Sequence, residues 1–371
     1  MAFVATLLII LPLGCAQGFI NSAPSPSPNS PPSSPPLVPA LFVIGDSSVD
    51  CGNHTFLGNF ARADRLPYGR DFDTRQPTGR FSNGRIAVDY LALNLGLPFV
   101  PGYHGKPDSA DDLIQGVNYA SAEASIVLST GSEWGGFSSL THQIQHAIET
   151  FQQIKLSMGE EEGARLISNS IFYISIGTND YIRYYHHNRS DPQSLYLPWS
   201  FNQLLIQGLK QEIVNLYDAD VRKVVVMGLG PMGCAPYYIW RYRNQPGHCV
   251  EIMNDMIVEF NLALRYIVDE LGQELADAKI IFCDAFQSSM EIIENLHRYG
   301  FSVNEEACCG FGRRRAWFSC MSPEMACSNA SNHIWWDQFH PTDAVNAILA
   351  DNIWSGLHSS ICYPMNLLDM I

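Results

Sequence analysis

Four short apolar runs constrain the fold of this 371-residue chain more than any other feature. They are nearly continuous in apolar and β-branched residues: "LFVIGD" (41–46), "IFYISIG" (171–177), "RKVVVMGLG" (222–230) and "AKIIFCDA" (278–285). Such runs are typical of strands that are buried on both faces, as in a parallel sheet. Helical periodicity occupies segments at about 138–156, 199–217, 250–274 and 343–356. This alternation predicts a three-layer α/β/α domain around a central parallel sheet.

The N-terminal residues have the pattern of a secretory signal. "MAFVATLLIILPLGCAQG" is an apolar run that ends in small residues, with Gly14 and Ala16 at the −3 and −1 positions of a cleavage site. We predict a signal peptide at 1–16 and a secreted, extracellular protein. A membrane anchor is the alternative, but the run is short for a membrane span, so we expect no stable membrane insertion.

A proline- and serine-rich segment follows the predicted signal. Its main part, "APSPSPNSPPSSPPLVPA" (23–40), cannot pack a hydrophobic core. We predict a disordered segment at 17–40, which is either a plain spacer or a carrier of O-linked sugar. The folded domain is predicted at 41–371.

The acidic composition limits the classes of partner. A formal net charge of −15 repels phosphate groups, which argues against nucleic acid and against sustained binding to anionic membranes. Neutral lipid or sugar substrates remain compatible with this charge.

Cysteines and sequons fit a secreted protein. Nine cysteines remain after the predicted signal, and we expect disulfides among Cys249, Cys308, Cys309, Cys320 and Cys327. Nine is an odd number, so at least one thiol stays free or pairs between chains, and we predict that it is Cys283, inside an apolar run. Glycosylation is predicted wherever a sequon is exposed, at Asn53, Asn188 and Asn329.

The segment "GLGPMG" (228–233) matches a dinucleotide-binding pattern. That function needs a helix to open directly after the turn, so that its amides face a pyrophosphate. Pro231 and Pro236 disfavour such a helix. We therefore predict no organic cofactor.

The segment "NHIWWDQFHPTDA" (332–344) carries a candidate general base. Asp337 and His340 lie three residues apart, and a carboxylate that holds one imidazole nitrogen leaves the other free to take a proton. One alternative is a surface pair beside a helix cap. Another is metal ligation by His333, Asp337 and His340, but no H-E-x-x-H motif is present and we predict no metal.

Ser47, in "FVIGDSSVDCGN" (42–53), is the candidate nucleophile. It lies where the first strand ends and a helix is predicted to begin, so its own amide can face a developing oxyanion. Gly45 permits a sharp turn, and Asp46 is expected to fix that turn by hydrogen bonds. Taken alone, "GDS" is a common turn, and the absence of G-x-S-x-G argues against an ordinary α/β-hydrolase elbow.

Together these segments resemble the GDSL esterase/lipase family, in the SGNH hydrolase superfamily. The landmarks are "FVIGDSSVDCGN", "PTGRFSNGRIAVDYLA" (77–92), "GVNYASAEASI" (116–126), "IGTNDY" (176–181), "GLGPMGCAP" and "WWDQFHPT" (335–342), in the family's order. The similarity covers essentially 41–356 and is specific to the plant-type branch. It implies a flavodoxin-like SGNH hydrolase fold and secretion to the cell wall or apoplast.

The resemblance also implies residue roles. Ser47 would be the nucleophile, His340 the base and Asp337 its orienting carboxylate. The oxyanion hole would be the backbone N–H groups of Ser47 and Gly116 with the side-chain amide of Asn179. The chain departs from the family pattern at two places, since Ser48 replaces the usual leucine and "SAEASI" replaces a glycine-rich stretch.

These observations predict a secreted serine hydrolase that cleaves carboxylic esters of lipids or acylated cell-wall polymers. An acyltransferase that uses the same acyl-enzyme is one alternative. A weakly active lipid- or glycan-binding wall protein is the other. The aromatic residues near the predicted catalytic positions either line an acyl pocket or pack in the core: Tyr181, Trp335, Trp336 and Phe339.

Overall fold

The computed structural model describes residues 35–57, 61–105, 113–127, 138–185, 196–242 and 248–371. The strands are β1 (Leu41–Gly45), β2 (Ile171–Ser175), β3 (Lys223–Met227), β4 (Lys279–Cys283), β5 (Val303–Ala307), β6 (His333–Trp335) and β7 (Cys362–Tyr363). The α-helices are α1 (Ala87–Asn94), α2 (Leu140–Met158), α3 (Glu160–Asn169), α4 (Thr178–Tyr185), α5 (Pro198–Asp218), α6 (Pro236–Arg241), α7 (Glu251–Glu274), α8 (Ala285–Glu294), α9 (Asp343–Ser355) and α10 (Leu367–Met370). The predicted signal peptide and the sequon at Asn188 lie outside the described residues.

The central sheet has the predicted parallel core. Its order is β1-β2-β3-β4-β7, with β1 to β4 parallel and the short β7 antiparallel at the edge. A further parallel bridge joins Val43 to Asn118, so the segment 117–121 runs along the other side of β1. Thus β1 has a parallel neighbour on each edge, with β2 on one and the segment 117–121 on the other. In open α/β sheets the ligand site lies at such a switch point, outside the carboxyl ends of the strands.

Helices cover both faces of this sheet, so the strands are buried on both sides. Phe42 and Phe172 face a core that includes α2, α5 and α7, while Val43 and Tyr173 face one that includes α1 and α9. This double burial explains why the strand sequences are continuously apolar rather than alternating. The prediction of a three-layer α/β/α architecture is confirmed.

The helix boundaries follow local sequence signals. Ser139 begins α2, because its hydroxyl accepts a hydrogen bond from the His142 N–H at 3.3 Å. Pro198 occupies the first turn of α5, and Gly356 ends α9 in the left-handed conformation. The four helices predicted from periodicity match α2, α5, α7 and α9 to within two residues at each end.

The packed unit begins before the predicted boundary at residue 41. Val38 and Ala40 are buried, and the Leu37 N–H donates to the Leu95 carbonyl at 2.9 Å. These residues therefore belong to the folded domain rather than to the proline-rich segment. They fix the chain directly before β1 begins.

A second, smaller sheet stands beside the first. It pairs β5 with β6 in parallel, and the disulfides Cys308–Cys327 and Cys309–Cys320 close the chain that connects them. Cys308 and Cys309 donate their backbone N–H groups to Trp335 and Trp336 at 2.9 and 2.7 Å. The chain at Trp335 and Trp336, immediately before Asp337, is thus hydrogen-bonded to a segment that two disulfides cross-link.

The prediction that Cys283 is the free thiol is wrong. Cys283 pairs with Cys362 across β4 and β7, and Cys234 pairs with Cys249. Among the described residues Cys51 is the free cysteine, and burial raises the pKa of its thiol to about 12. An apolar run does not distinguish a buried thiol from a buried disulfide, since both are apolar.

Candidate active site

Ser47 stands on a single turn directly after β1. The Asp46 N–H donates to the Ser175 carbonyl at 3.0 Å, and Asp46 Oδ1 accepts the Ser48 N–H at 3.0 Å. Burial raises the pKa of Asp46, and the hydrogen bond from Ser48 opposes that rise. Gly45 is needed because a Cβ there would overlap the Ser175 carbonyl. The side chain of Asp46 therefore fixes the turn, as predicted.

The predicted helix after Ser47 does not form. The N–H of Asp50 reaches the Asp46 carbonyl at 3.1 Å, which closes one turn, but the chain then leaves the helical path. The Asp50 carboxylate accepts the N–H groups of Gly52 and Asn53, both at 2.7 Å, and Gly52 has a φ of 127°. This side-chain capture of the backbone competes with helix formation. The backbone amide of Ser47 consequently does not lie at the N-terminus of a helix.

A continuous series of hydrogen bonds connects Ser47, His340 and Asp337. His340 Nε2 lies 2.8 Å from Ser47 Oγ, and His340 Nδ1 lies 2.9 and 3.0 Å from the two Asp337 oxygens. A proton on Nδ1 that points to the carboxylate leaves Nε2 as the acceptor of the serine hydroxyl. The geometry therefore suits removal of the Ser47 proton by His340.

Asp337 is buried but held in its charged form. Burial by itself raises the pKa of this carboxyl, but the His340 ring and the backbone N–H groups of Phe339 and His340 outweigh it, so the pKa lies below its usual value. The Tyr68 hydroxyl adds a hydrogen bond to Asp337 Oδ2 at 2.7 Å. A carboxylate with this many donors is an anion that fixes the ring beside it.

Tyr68 and Phe81 were not identified by sequence reasoning. The centroid of the Phe81 ring lies 5.9 Å from that of Tyr68 and 4.8 Å from that of His340, so Phe81 contacts both rings. Tyr68 is 269 residues from Asp337 in sequence. A contact between residues so far apart in sequence is not predicted by any local motif and is visible only in the folded structure.

Asn179 lies in the first turn of α4, shortly after β2 ends. Its Nδ2 donates one hydrogen bond to the Ala124 carbonyl at 2.8 Å, and its side chain lines the cavity that holds Ser47. An amide nitrogen carries two N–H groups, so this bond orients the group and leaves a second donor.

The structure does not bring Gly116 to the site, and this prediction is wrong. Gly116 lies against Leu41 at the opposite end of β1, and its N–H donates to the Leu113 carbonyl at 3.2 Å. From Leu41 to Gly45 the strand spans roughly 13 Å at about 3.3 Å per residue. Gly116 is required for another reason: it has a φ of 119°, and a Cβ would overlap the Leu41 carbonyl.

A tight turn at 121–124 occupies the place beside Ser47 instead. The Ser121 N–H donates to the Gly45 carbonyl at 3.1 Å, and the Ala124 N–H closes the turn onto Ser121 at 3.1 Å. Glu123 adopts a φ of 66° in this turn, a conformation that favours glycine. Arg183 holds the Glu123 carbonyl at 3.0 Å, and Glu123 lines the cavity near Ser47.

Two buried carboxylates fasten this turn from either side. Asp50 Oδ2 accepts the Ala122 N–H at 2.8 Å, and the two oxygens of Asp180 accept the N–H groups of Ile126 and Val127 at 2.9 and 3.1 Å. Burial raises the pKa of Asp180 to about 7, although these hydrogen bonds lower it. Sequence reasoning assigned no function to either carboxylate.

A cavity of about 650 Å³ opens over the carboxyl ends of β1, β2 and β3. Ser47, Asn179 and His340 line it at one end, and Glu123 and Arg183 lie there as well. The "GLGPMG" segment forms part of its wall through Gly228, Leu229, Gly230, Pro231 and Met232. This segment leads into a 3₁₀ turn at Met232–Cys234, and the short helix α6 begins only after it, with Pro236 in its first turn.

Comparison with known proteins identifies the chain. The family model described as GDSL-like lipase/acylhydrolase matches residues 41–353. The chain belongs to the GDSL-like lipase/acylhydrolase family. It is 39% identical over 333 residues to the Arabidopsis thaliana protein named GDSL esterase/lipase At5g08460, covering 89% of this chain and 86% of that protein. It is 36% identical to GDSL esterase/lipase 7 of the same organism, covering 90% and 92% respectively.

A solved structure is also similar to this GDSL-like hydrolase. It is a variant of Axe2, an acetyl xylan esterase from Geobacillus stearothermophilus, with a TM-score of 0.38 and 15% identity. The match covers 84% of this chain and 93% of that one.

Ser48 makes a side-chain contact with the end of β2. Its hydroxyl lies 3.1 Å from the Ser175 hydroxyl. Of the four aromatic residues flagged in the sequence, Trp335 and Phe339 line the cavity. Tyr181 and Trp336 are fully buried, and the Tyr181 hydroxyl donates to Asn202 Oδ1 at 2.6 Å.

Asn53 is not an exposed sequon. It is buried, and its Nδ2 donates to the carbonyls of Asn118 and Ala120, both at 2.8 Å. Since both hydrogens of that nitrogen are used, attachment of a glycan would break the loop, and the prediction for Asn53 is wrong. Asn329 is exposed, so its glycosylation stays a prediction.

Proposed function

We propose that this carboxylic ester hydrolase uses Ser47 as its nucleophile, His340 as its base and Asp337 as the orienting carboxylate. The observation that carries the proposal is the continuous hydrogen-bonded series from Ser47 Oγ to His340 Nε2 and from His340 Nδ1 to Asp337. A serine hydroxyl is a weak nucleophile until a neighbouring base takes its proton.

The proposed reaction has two halves. Ser47 Oγ attacks the ester carbonyl while its proton moves to His340 Nε2, which later passes the proton to the departing alcohol. Water then enters, gives a proton to His340 and attacks the acyl-enzyme. As the bond from the acyl carbon to Ser47 Oγ breaks, His340 returns that proton to Ser47 Oγ and the carboxylic acid leaves. Asp337 stays ionised throughout and stabilises the imidazolium that forms in each half.

The oxyanion in both tetrahedral intermediates needs fixed donors. We assign these to the backbone N–H groups of Ser47 and Glu123 and to the second amide hydrogen of Asn179. Glu123 replaces the predicted Gly116 because it lies on the cavity next to Ser47, while the neighbouring Ala122 N–H is already bonded to Asp50. Loss of one such donor typically costs about a hundredfold or more in rate.

Secretion is part of the proposal. The N-terminal sequence has the signal pattern, and four disulfides join eight of the described cysteines, which suits an oxidising compartment. In the part of the chain that the structure describes, no helix has both the length and the apolar character needed to cross a membrane.

The test is covalent labelling with a fluorophosphonate, read by intact-protein mass. We expect one adduct on the wild type, none on Ser47→Ala, and normal labelling of Ser48→Ala, a matched control one residue away. Turnover of p-nitrophenyl acetate should fall at least about a thousandfold in Ser47→Ala. An adduct that persists in Ser47→Ala would overturn the assignment.

The same experiment separates the alternative functions. No adduct on the folded wild type would favour the lipid- or glycan-binding protein. If an added alcohol captures the acyl group faster than water does, the acyl-enzyme serves a transferase.

A further inference from the structure

The cavity extends well beyond the groups needed for ester cleavage. Away from Ser47 it passes over Met227 and Leu229 and continues between α8 and α9. We name this part the inner lobe, and its helical walls are Ala285, Ser289, Ile292, Ile293, Val345, Asn346, Leu349 and Ile353.

The wall residues follow helical spacing on both sides. Those of α8 recur at intervals of four, three and one residues, and those of α9 at one, three and four. This spacing places each set on a single face, so two helix faces look into the lobe. Each set spans nine residues, or about 12 Å along its helix. The lobe therefore extends along both helices.

The walls of the inner lobe are mostly apolar and at least partly buried. Ile292, Ile353 and Val345 are at most 2% exposed, whereas Ile293 and Leu349 are partly exposed. Its polar members are Ser289 and Asn346, and the Asn346 amide donates to the Arg85 carbonyl at 3.1 Å. Such an apolar lobe gains free energy from an unbranched hydrocarbon and loses it from a sugar or a charged group.

The two ends of the cavity differ in a way that orients an ester. Glu123 and Arg183 lie at the end near Ser47 and are partly exposed, so a bulky or polar alcohol can extend into solvent there. The inner lobe has no such charged residue among its walls. We propose that the inner lobe binds a medium- to long-chain aliphatic acyl group, with Leu349 and Ile293 setting the chain length accepted. This proposal rests on the proposed ester hydrolysis at Ser47.

Two ester series test the orientation. In the first, p-nitrophenyl acetate, butanoate and octanoate vary the acyl chain; in the second, ethyl, butyl and octyl acetate vary the alcohol. Burial of a methylene is worth about 3- to 4-fold in binding, so we expect kcat/KM to rise at least about tenfold from butanoate to octanoate. The alcohol series should stay flat. A rise along the alcohol series instead, or no dependence on the acyl chain, would overturn the proposal.

Substitutions that fill the inner lobe with a larger side chain test whether the acyl chain binds there. Leu349→Trp and Ile293→Phe should each lower the octanoate-to-acetate ratio of kcat/KM at least about tenfold. The matched control is Ile348→Trp, on the same helix but not on the cavity wall, and its ratio should equal that of the wild type. An unchanged ratio in both lobe variants would place the chain elsewhere. Hydrolysis of acetate by the wild type, absent in Ser47→Ala, shows separately whether the proposed function itself holds.

Discussion

The two halves of the candidate site are held by different forces. Ser47 and the turn at 121–124 are fixed by buried hydrogen bonds, chiefly to Asp50 and Asp180. His340 and Asp337 follow a segment tied by two disulfides and a short strand pair. Each half must be placed to a fraction of an ångström for the 2.8 Å contact between Ser47 and His340 to form.

The hydrogen-bonded half belongs to the sheet. Gln143 joins α2 to β1, since its Oε1 accepts the Gly45 N–H at 2.8 Å and its Nε2 donates to the Gly45 carbonyl at 2.9 Å. Asn118 donates to the Val49 carbonyl at 2.7 Å. Burial in a large core makes such bonds durable, because water does not compete for the partners.

The disulfide-tied half has a much smaller core. The apolar cluster that holds Trp336 has nine buried residues, three of them cysteines. Ser319 and Ala316, inside this tied segment, contact Gln338 next to Asp337. Where little apolar surface is available, cross-links replace packing as the source of order. We therefore expect different substitutions to disrupt the geometry of the two halves.

Removal of the Asp50 carboxylate should have the largest effect. Its oxygens accept five hydrogen bonds, from the N–H groups of Gly52, Asn53, His54 and Ala122 and from the His54 ring. Asp50→Ala leaves these buried donors unpaired and should lower the free energy of unfolding by about 3–5 kcal/mol. Urea denaturation measures it, and fluorophosphonate labelling should slow in parallel.

Asp64→Ala is the control for that variant. Asp64 pairs with Arg62 nearer the surface, where such a pair contributes up to about 1 kcal/mol. If Asp50→Ala cost no more than Asp64→Ala, the hydrogen-bonded half would not depend on this carboxylate.

Removal of one cross-link should act on the other half. Cys309→Ala/Cys320→Ala opens a loop of 11 residues, and the chain-entropy model gives a loss of about 3 kcal/mol. Labelling of Ser47 should slow even at temperatures where the variant stays folded, because Trp336 and the adjoining Asp337 lose their anchor.

The matched comparison is Cys234→Ala/Cys249→Ala. This pair spans 15 residues, so the same model gives a similar loss of about 3 kcal/mol. Neither cysteine lies in the His340 segment, which their loop contacts through the hydrogen bond from the Tyr237 N–H to the Gln338 carbonyl at 3.2 Å. We therefore expect labelling to slow less than in Cys309→Ala/Cys320→Ala. Equal slowing of labelling in both double variants would mean that the disulfides support global stability alone.

The sequence predicted the fold well because its strands are read locally. Short, continuous apolar runs that are rich in β-branched residues favour buried strands, and β1 to β4 all follow this pattern. The predictions for Ser47, Asn179, Asp337 and His340 came from short motifs and from the family resemblance. Ser47, Asn179 and His340 line one cavity, and Asp337 is hydrogen-bonded to His340.

The errors have a common physical cause. Gly116 was predicted from the family resemblance, but the parallel ladder sets Asn118 beside Val43, and this register puts residues 121–123 next to the end of β1. The contacts of Asp50 with Ala122 and of Tyr68 with Asp337 could not be read from the sequence, since the partners are 72 and 269 residues apart. Register and long-range pairing are decided by the packed whole.

Tyr68 tests the half of the site that contains His340 without any change to a disulfide. Its hydroxyl donates to Asp337, which stabilises the charged carboxylate, so Tyr68→Phe should raise the pKa of Asp337 and cost about 2 kcal/mol in stability. The acid limb of kcat/KM should then move to higher pH, by up to about one unit, because the coupled pair of His340 and Asp337 takes up its proton at a higher pH.

Tyr90→Phe separates positioning from stability. The Tyr90 hydroxyl likewise donates to a carboxylate, Asp343 Oδ1, at 2.8 Å, but Asp343 begins α9 and is not bonded to His340. We expect a similar loss of stability and an unmoved acid limb. If both variants shift the limb equally, the shift reports general loosening of the fold. If only Tyr68→Phe shifts it, the tyrosine holds the charge on which the orientation of His340 depends.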